Sequence, residues 1–130
     1  MYIFIMIIKG KSKGSIMDFI QILKLIAVVV TLLTGLYSLL QPKRIKGFTG
    51  LEASSPRATT EIRAVMGGTF VGLGIAALVF PMREVFLMLG ITYAAIGAIR
   101  GVSMVLDRSM EKSNVISLVT EVILVVILVL

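Results

Sequence analysis

Residues 61–100 read EIRAVMGGTFVGLGIAALVFPMREVFLMLGITYAAIGAIR, and this stretch decides the fold. Two apolar runs flank a turn at Phe80–Arg83, where Pro81 ends one helical pattern and starts the next. A spanning helix needs about 20 mostly apolar residues, and both runs approach that length. The stretch therefore predicts two antiparallel membrane helices joined through a short turn. Arg63 lies near the start of the first and Arg100 near the end of the second. A hairpin brings these two arginines to similar depth on one side of the membrane.

The whole chain agrees with that reading. Its 130 residues are 58% hydrophobic and only 15% charged, with a mean hydropathy of +1.05. A soluble domain is typically about a quarter charged, and its helices carry a polar face. Here the charges gather between long apolar runs. The expected fold class is all-α, an integral membrane four-helix bundle with helices over 18–40, 56–79, 82–106 and 114–130. One domain, 17–130, holds all four.

Composition also narrows the chemistry. The chain has no Cys, His or Trp. That removes disulfides, thiol chemistry, haem ligation by His and the usual zinc sites. No metal and no cofactor is expected, and an enzyme is disfavoured because no nucleophile–base pair with Cys or His is available. The net charge of +6 fits loop lysines and arginines facing anionic lipid. No Gly-rich phosphate loop follows a strand, and no nucleic-acid partner is expected.

Met1–Ile8 (MYIFIMII) is too short to span, and Lys9, Lys11 and Lys13 follow it. A signal peptide has the opposite order, charges first. Residues 1–16 are therefore expected to be an extension outside the packed fold, with Met17 as the natural start. The codons for Lys13-Gly14-Ser15 can spell a purine-rich ribosome-binding site. Lys43, Arg44, Lys46, Arg57, Arg108 and Lys112 fall on one membrane side, Lys24 and Arg83 on the other. Counted from Met17, the positive-inside rule puts the first group in the cytoplasm.

Small residues recur along the spans. Thr31, Thr34, Gly35 and Ser38 form one stripe in the first. In the second, Ala64, Gly68, Gly72 and Ala76 fall every four residues, widened by Gly67 and Gly74. Gly90, Ala94 and Ala98, and Gly97 with Gly101, mark the third. In lipid such stripes let backbones approach closely. The short turn leads to the expectation that the second and third spans press their small faces together. The packing candidates are Ala64, Gly67, Gly68, Gly72, Gly97 and Gly101.

Three charges share one depth. Arg63 is seven residues into the second span, Arg100 lies seven before Asp107, and Glu121 lies seven after Asn114. Each should sit roughly 10 Å inside the same face. Intramembrane charges pair or line a cavity, because an unpaired one costs several kcal/mol. Tyr93, Arg100 and Asp107 recur every seven residues and share a helix face. The candidate network is Arg63, Arg100, Glu121, Glu61, Asp107 and Tyr93. Glu61 projects from nearly the opposite face to Arg63. The network either forms a pocket for an anionic or lipid headgroup, or a proton-coupled site, or it fixes helix register.

The segments EIRAVMGG at Glu61–Gly68, GLG at Gly72–Gly74, AIRGVSMVLD at Ala98–Asp107 and the lone Glu121 resemble an uncharacterised family of small bacterial four-transmembrane proteins. That family is a domain of unknown function and is distantly similar to the DoxX-like membrane proteins. The resemblance covers about Met17 to the C-terminus. It implies four helices, a polar cluster and a multi-pass protein of the bacterial inner membrane, and no established activity. The leading expectation is a structural or accessory bundle that binds a lipid or small hydrophobic ligand, with the bilayer as partner and a homo-oligomer as a further option. The alternative is a small multidrug or ion transporter coupling through Glu121.

Overall fold

The structure, a computed structural model, describes residues 14–130. Residues 1–13, and with them most of the expected extension, lie outside the described residues. Four long helices make up the chain: α1 (Ser15–Leu40), α2 (Pro56–Val79), α3 (Arg83–Leu106) and α4 (Lys112–Val129). Among the described residues there is no strand. All four helices are long and apolar enough to cross a membrane, yet only 17–28% of each apolar window is buried within the bundle. Leu33, Ile91 and Ile99 are more than half exposed. A soluble bundle would turn these side chains inward. This is an all-α, multi-pass membrane protein.

Local chemistry sets the helix ends. Pro42 follows α1 and cannot extend it, and the Gln41 N–H closes the last turn on the Tyr37 carbonyl at 2.8 Å. A one-turn helix, Lys46–Thr49, then ends at Gly50, whose φ of 75° suits a residue without Cβ. The Ser55 hydroxyl accepts from the Ala58 N–H at 3.1 Å, and Pro56 takes the first position of α2. Within α2, residues Ile62–Gly68 form a π-helical stretch. This wider turn takes more residues per revolution than an α-helix.

The small residues that touch differ from those expected. The second span packs its glycines on α1, not α3. A Cβ built on Gly35 would lie 2.6 Å from the Val71 backbone nitrogen, and one on Gly67 would lie 3.0 Å from Leu39 Cα. Gly74 is closed off by the Leu32 side chain. By contrast Gly72 has nothing within 4 Å, Gly68 meets only its own helix, and Ala64 is exposed. The reason is geometric: the seven-residue pair Gly67 and Gly74 stays on one face, with Val71 between them. It matches the Thr31–Gly35–Ser38 stripe of α1, whose members are buried. The turn at Phe80–Met82 makes α2 and α3 sequential, but the two touch only sparingly. The second seam joins α3 to α4, where a Cβ on Gly90 would meet Val129 at 3.2 Å and one on Gly97 would meet Glu121 at 3.6 Å. Gly101 has nothing within 4 Å. Helix α4 also packs on α1, so the bundle runs α2–α1–α4–α3.

The core is one cluster of Ala27, Val28, Ala77, Phe86, Leu89, Tyr93, Leu124 and Leu128. It fills the half of the bundle nearer the Phe80–Arg83 turn. Lys24 stands over the Phe86 ring, its ammonium 5.2 Å from the centroid, a cation–π contact at that rim. The other half buries Ile45, Ile62 and Met104 but also holds a cleft.

Candidate functional site

In the half nearer the loops the four helices line a cleft of about 320 Å³. Its walls are apolar: Val30 from α1, Met66 and Phe70 from α2, Ile96 from α3, Ile116 and Leu124 from α4. Phe48, on the one-turn helix, covers the loop end and meets Tyr37 edge-on, with ring centroids 6.4 Å apart. Polar groups converge on the same space from Thr34, Tyr93, Arg100, Ser117, Thr120 and Glu121.

Arg100 and Glu121 form the charged pair. The Arg100 Nε–H reaches both carboxylate oxygens, at 2.9 and 3.0 Å, and the Nη2 group adds a contact of 2.8 Å to Oε1. Nη1 donates to Asn114 Oδ1 at 3.1 Å, and the Asn114 amide donates to the Ser109 carbonyl at 3.0 Å. The carboxylate is almost fully buried, at 9% side-chain exposure against 28% for the arginine. Gly97 makes room: it stands beside Glu121 with no side chain of its own. The arrangement ties α3 to α4 and returns to the loop between them. A buried charge is tolerable only when paired and hydrogen-bonded, and both conditions are met.

Tyr93 belongs to a separate link. Its hydroxyl lies 2.8 Å from Thr31 Oγ1, which itself donates to the Ala27 carbonyl at 2.8 Å. With its one proton so committed, Thr31 accepts from Tyr93. The Tyr93 ring stacks on Phe70, centroids 6.2 Å apart. Tyr93 therefore forms the boundary between packed core and cleft, joining α3 to α1 and α2.

The structure does not bring Arg63 to this site. Its Nε–H donates to the Leu39 carbonyl at 3.1 Å. The last carbonyls of a helix lack intrahelical donors and carry partial negative charge, so Arg63 caps the end of α1. The π-helical stretch explains the difference. In an unbroken α-helix residues 63, 66 and 70 share a face, and Met66 and Phe70 do line the cleft. The wider turn rotates Arg63 off that face. Glu61 is exposed, with no hydrogen bond or salt bridge among the described residues. Asp107 is exposed at the end of α3 and borders an outer groove on the far side of Arg100. Asn114 was the missed partner. Its seven-residue spacing from Glu121 places both on one face of α4, and that spacing was the available signal.

A family described as a domain of unknown function, DUF4345, matches residues 19–130. The match takes in nearly all of α1 and the whole of α2, α3 and α4. It agrees with the resemblance to an uncharacterised family read from EIRAVMGG and AIRGVSMVLD. No curated protein and no solved structure matches the chain.

Proposed function

The chain belongs to the DUF4345 family, and from the shape and lining of its cleft we propose that it is a membrane-embedded binding bundle for a lipid or small amphiphile. The carrying observation is one space that combines apolar walls with a buried, hydrogen-bonded ion pair. Small-molecule sites are concave, mostly apolar and hold a few convergent polar groups, in volumes from about 300 Å³ upward. A ligand would lay its apolar body along Phe70, Ile96 and Leu124 and its head beside Arg100 and Glu121. The sparse contact between α2 and α3 supplies a lateral entrance from the bilayer. We place the protein in a cell membrane, where such amphiphiles are at hand.

A transporter coupling through Glu121 needs a carboxylate that trades its proton with a ligand. Three contacts from Arg100 hold the Glu121 carboxylate in a fixed pair instead. The binding reading is tested by native mass spectrometry of the purified protein, searching for a retained small molecule. Ser117 lines the cleft, and Ser117→Phe fills it. We expect the adduct to disappear in this variant while the melting temperature stays within a few degrees. An adduct that survives Ser117→Phe in a folded protein overturns the reading.

A further inference from the structure

Apart from Ser117, the hydroxyls that face the cleft have already committed their protons. Thr34 Oγ1 donates to the Val30 carbonyl at 2.9 Å, and Thr120 Oγ1 donates to the Ile116 carbonyl at 2.8 Å. Tyr93 donates to Thr31, whose own proton goes to Ala27. A hydroxyl has one proton and two lone pairs, so each of these oxygens meets the cleft as an acceptor. Glu121 is an acceptor as well. The donors that remain on the lining are the Ser117 hydroxyl, which makes no hydrogen bond among the described residues, and the N–H groups of Arg100 beyond those given to Glu121 and Asn114.

Charge points the same way. One cation and one anion face the cleft, and they neutralise each other at 2.8 Å. An anionic head entering here would meet the oxygens of Thr34, Thr120 and Tyr93 without protons, and the Glu121 carboxylate at close range. An uncharged head bearing only acceptors would leave the free lone pairs of those same oxygens without a donor. A head with O–H or N–H groups satisfies them, and its own lone pairs suit Ser117 and Arg100.

We infer that the cleft selects an uncharged amphiphile whose head carries hydrogen-bond donors, an alcohol or polyol on an apolar chain, over an anionic lipid. This rests on the binding reading above and names its ligand class. The apolar walls accept the chain, and the acceptor-rich layer at Thr34, Thr120 and Glu121 reads the head.

The test compares three oleoyl compounds that differ only at the head: monoolein, a neutral diol; oleate, an anion; and methyl oleate, which has no donor. Each is titrated into the full chain in detergent, with occupancy read by native mass spectrometry. Two hydrogen bonds at about 0.5–1.5 kcal/mol each predict monoolein binding about tenfold tighter than methyl oleate, with oleate weakest. Thr34→Val combined with Thr120→Val removes both acceptor oxygens and should bring the monoolein to methyl oleate ratio close to one. Thr34→Ser with Thr120→Ser keeps the oxygens and should keep the ratio. Oleate binding tightest overturns the ligand class, as does a ratio that survives the valine pair. If Ser117→Phe still abolishes that binding, the cleft stands and only the class falls. If none of the three binds, or all bind Ser117→Phe unchanged, the binding reading falls and this inference with it.

Discussion

The two helix seams of this bundle are fastened in different ways. Between α1 and α2 the fastening is steric: Gly35 and Gly67 let backbone lie on backbone, and Gly74 admits Leu32. Between α3 and α4 the glycines meet side-chain atoms first, with backbone no nearer than 3.9 Å, and the close tie is Arg100 with Glu121 and Asn114. The difference shows where freedom remains. Packing replaces the hydrophobic effect inside lipid, so a seam without room for a methyl group is rigid. A seam held by an ion pair needs less contact along its length. The cleft opens where α3 and α4 carry their polar residues, across from the tightly closed pair. If this contrast is right, the first seam fails by volume and the second by charge.

The largest effect should come from adding volume to the first seam. A Cβ on Gly35 would lie 2.6 Å from the Val71 backbone nitrogen, which has no flexible end to swing aside. Overpacking a filled site costs about 1–3 kcal/mol, and more when the obstacle is backbone. We expect Gly35→Leu to lose at least the upper end of that range, read as a large drop in melting temperature in detergent, or to fail to fold. Gly35→Ala should fall measurably as well. A parental melt for both would show that the α1–α2 seam is not this close.

Removing charge from the second seam comes next. Glu121→Gln leaves Arg100 without its carboxylate, and breaking a fully buried pair costs about 3–5 kcal/mol. The arginine is only partly buried, at 28% exposure, and keeps its hydrogen bond to Asn114, so the loss should fall below that range. A loss of about 2 kcal/mol is expected. Adding Arg100→Gln to the same protein should restore part of it, because no uncompensated charge then remains. No destabilisation in the single variant, or no recovery in the double, would separate the ion pair from the stability of the seam.

These residues also show what could be read without coordinates. Hydropathy and Pro42, Pro56 and Pro81 locate the spans, because lipid demands long apolar helices and proline favours their first turn or the loops beyond their ends. Equal spacing from helix ends puts Arg100 and Glu121 at one depth, and they do meet. Which helices pair was not legible. A four-residue stripe and a seven-residue stripe coexist on α2, and only the partner surface chooses between them. Arg63 was misplaced for a related reason. The π-helical stretch at Ile62–Gly68 shifts its face, and no hydrophobic pattern announces such a turn.

A smaller effect should mark the link between the seams. Tyr93 gives its proton to Thr31 at the top of the core. Tyr93→Phe keeps the ring against Phe70 and removes one buried hydrogen bond, worth about 1 kcal/mol. The melting temperature should drop by less than for Glu121→Gln. Combining Tyr93→Phe with Thr31→Val should cost less than the sum of the two single losses, since both remove the Tyr93–Thr31 bond and only the Thr31 bond to Ala27 is lost in addition. Fully additive losses would mean that the two hydroxyls do not bond each other.

The smallest effect is expected at Gly72, and it is the sharpest check on the seam assignment. Gly72 lies between Gly67 and Gly74 in sequence, on the same helix and within the same glycine-rich run. Composition cannot separate the three. Packing does: Gly67 and Gly74 are buried against α1, while Gly72 has nothing within 4 Å. Gly72→Leu therefore adds a side chain that points into lipid. It replaces a residue of poor helix propensity by a good one, a difference of under about 1 kcal/mol in favour of leucine in water. Stability should stay within about 0.5 kcal/mol of the parent or rise slightly. The paired variant Gly74→Leu collides with Leu32 and should fall well below it. A large loss at Gly72 with little at Gly74 would reverse the assignment. It would return the small face of α2 to α3, where the short turn alone had put it.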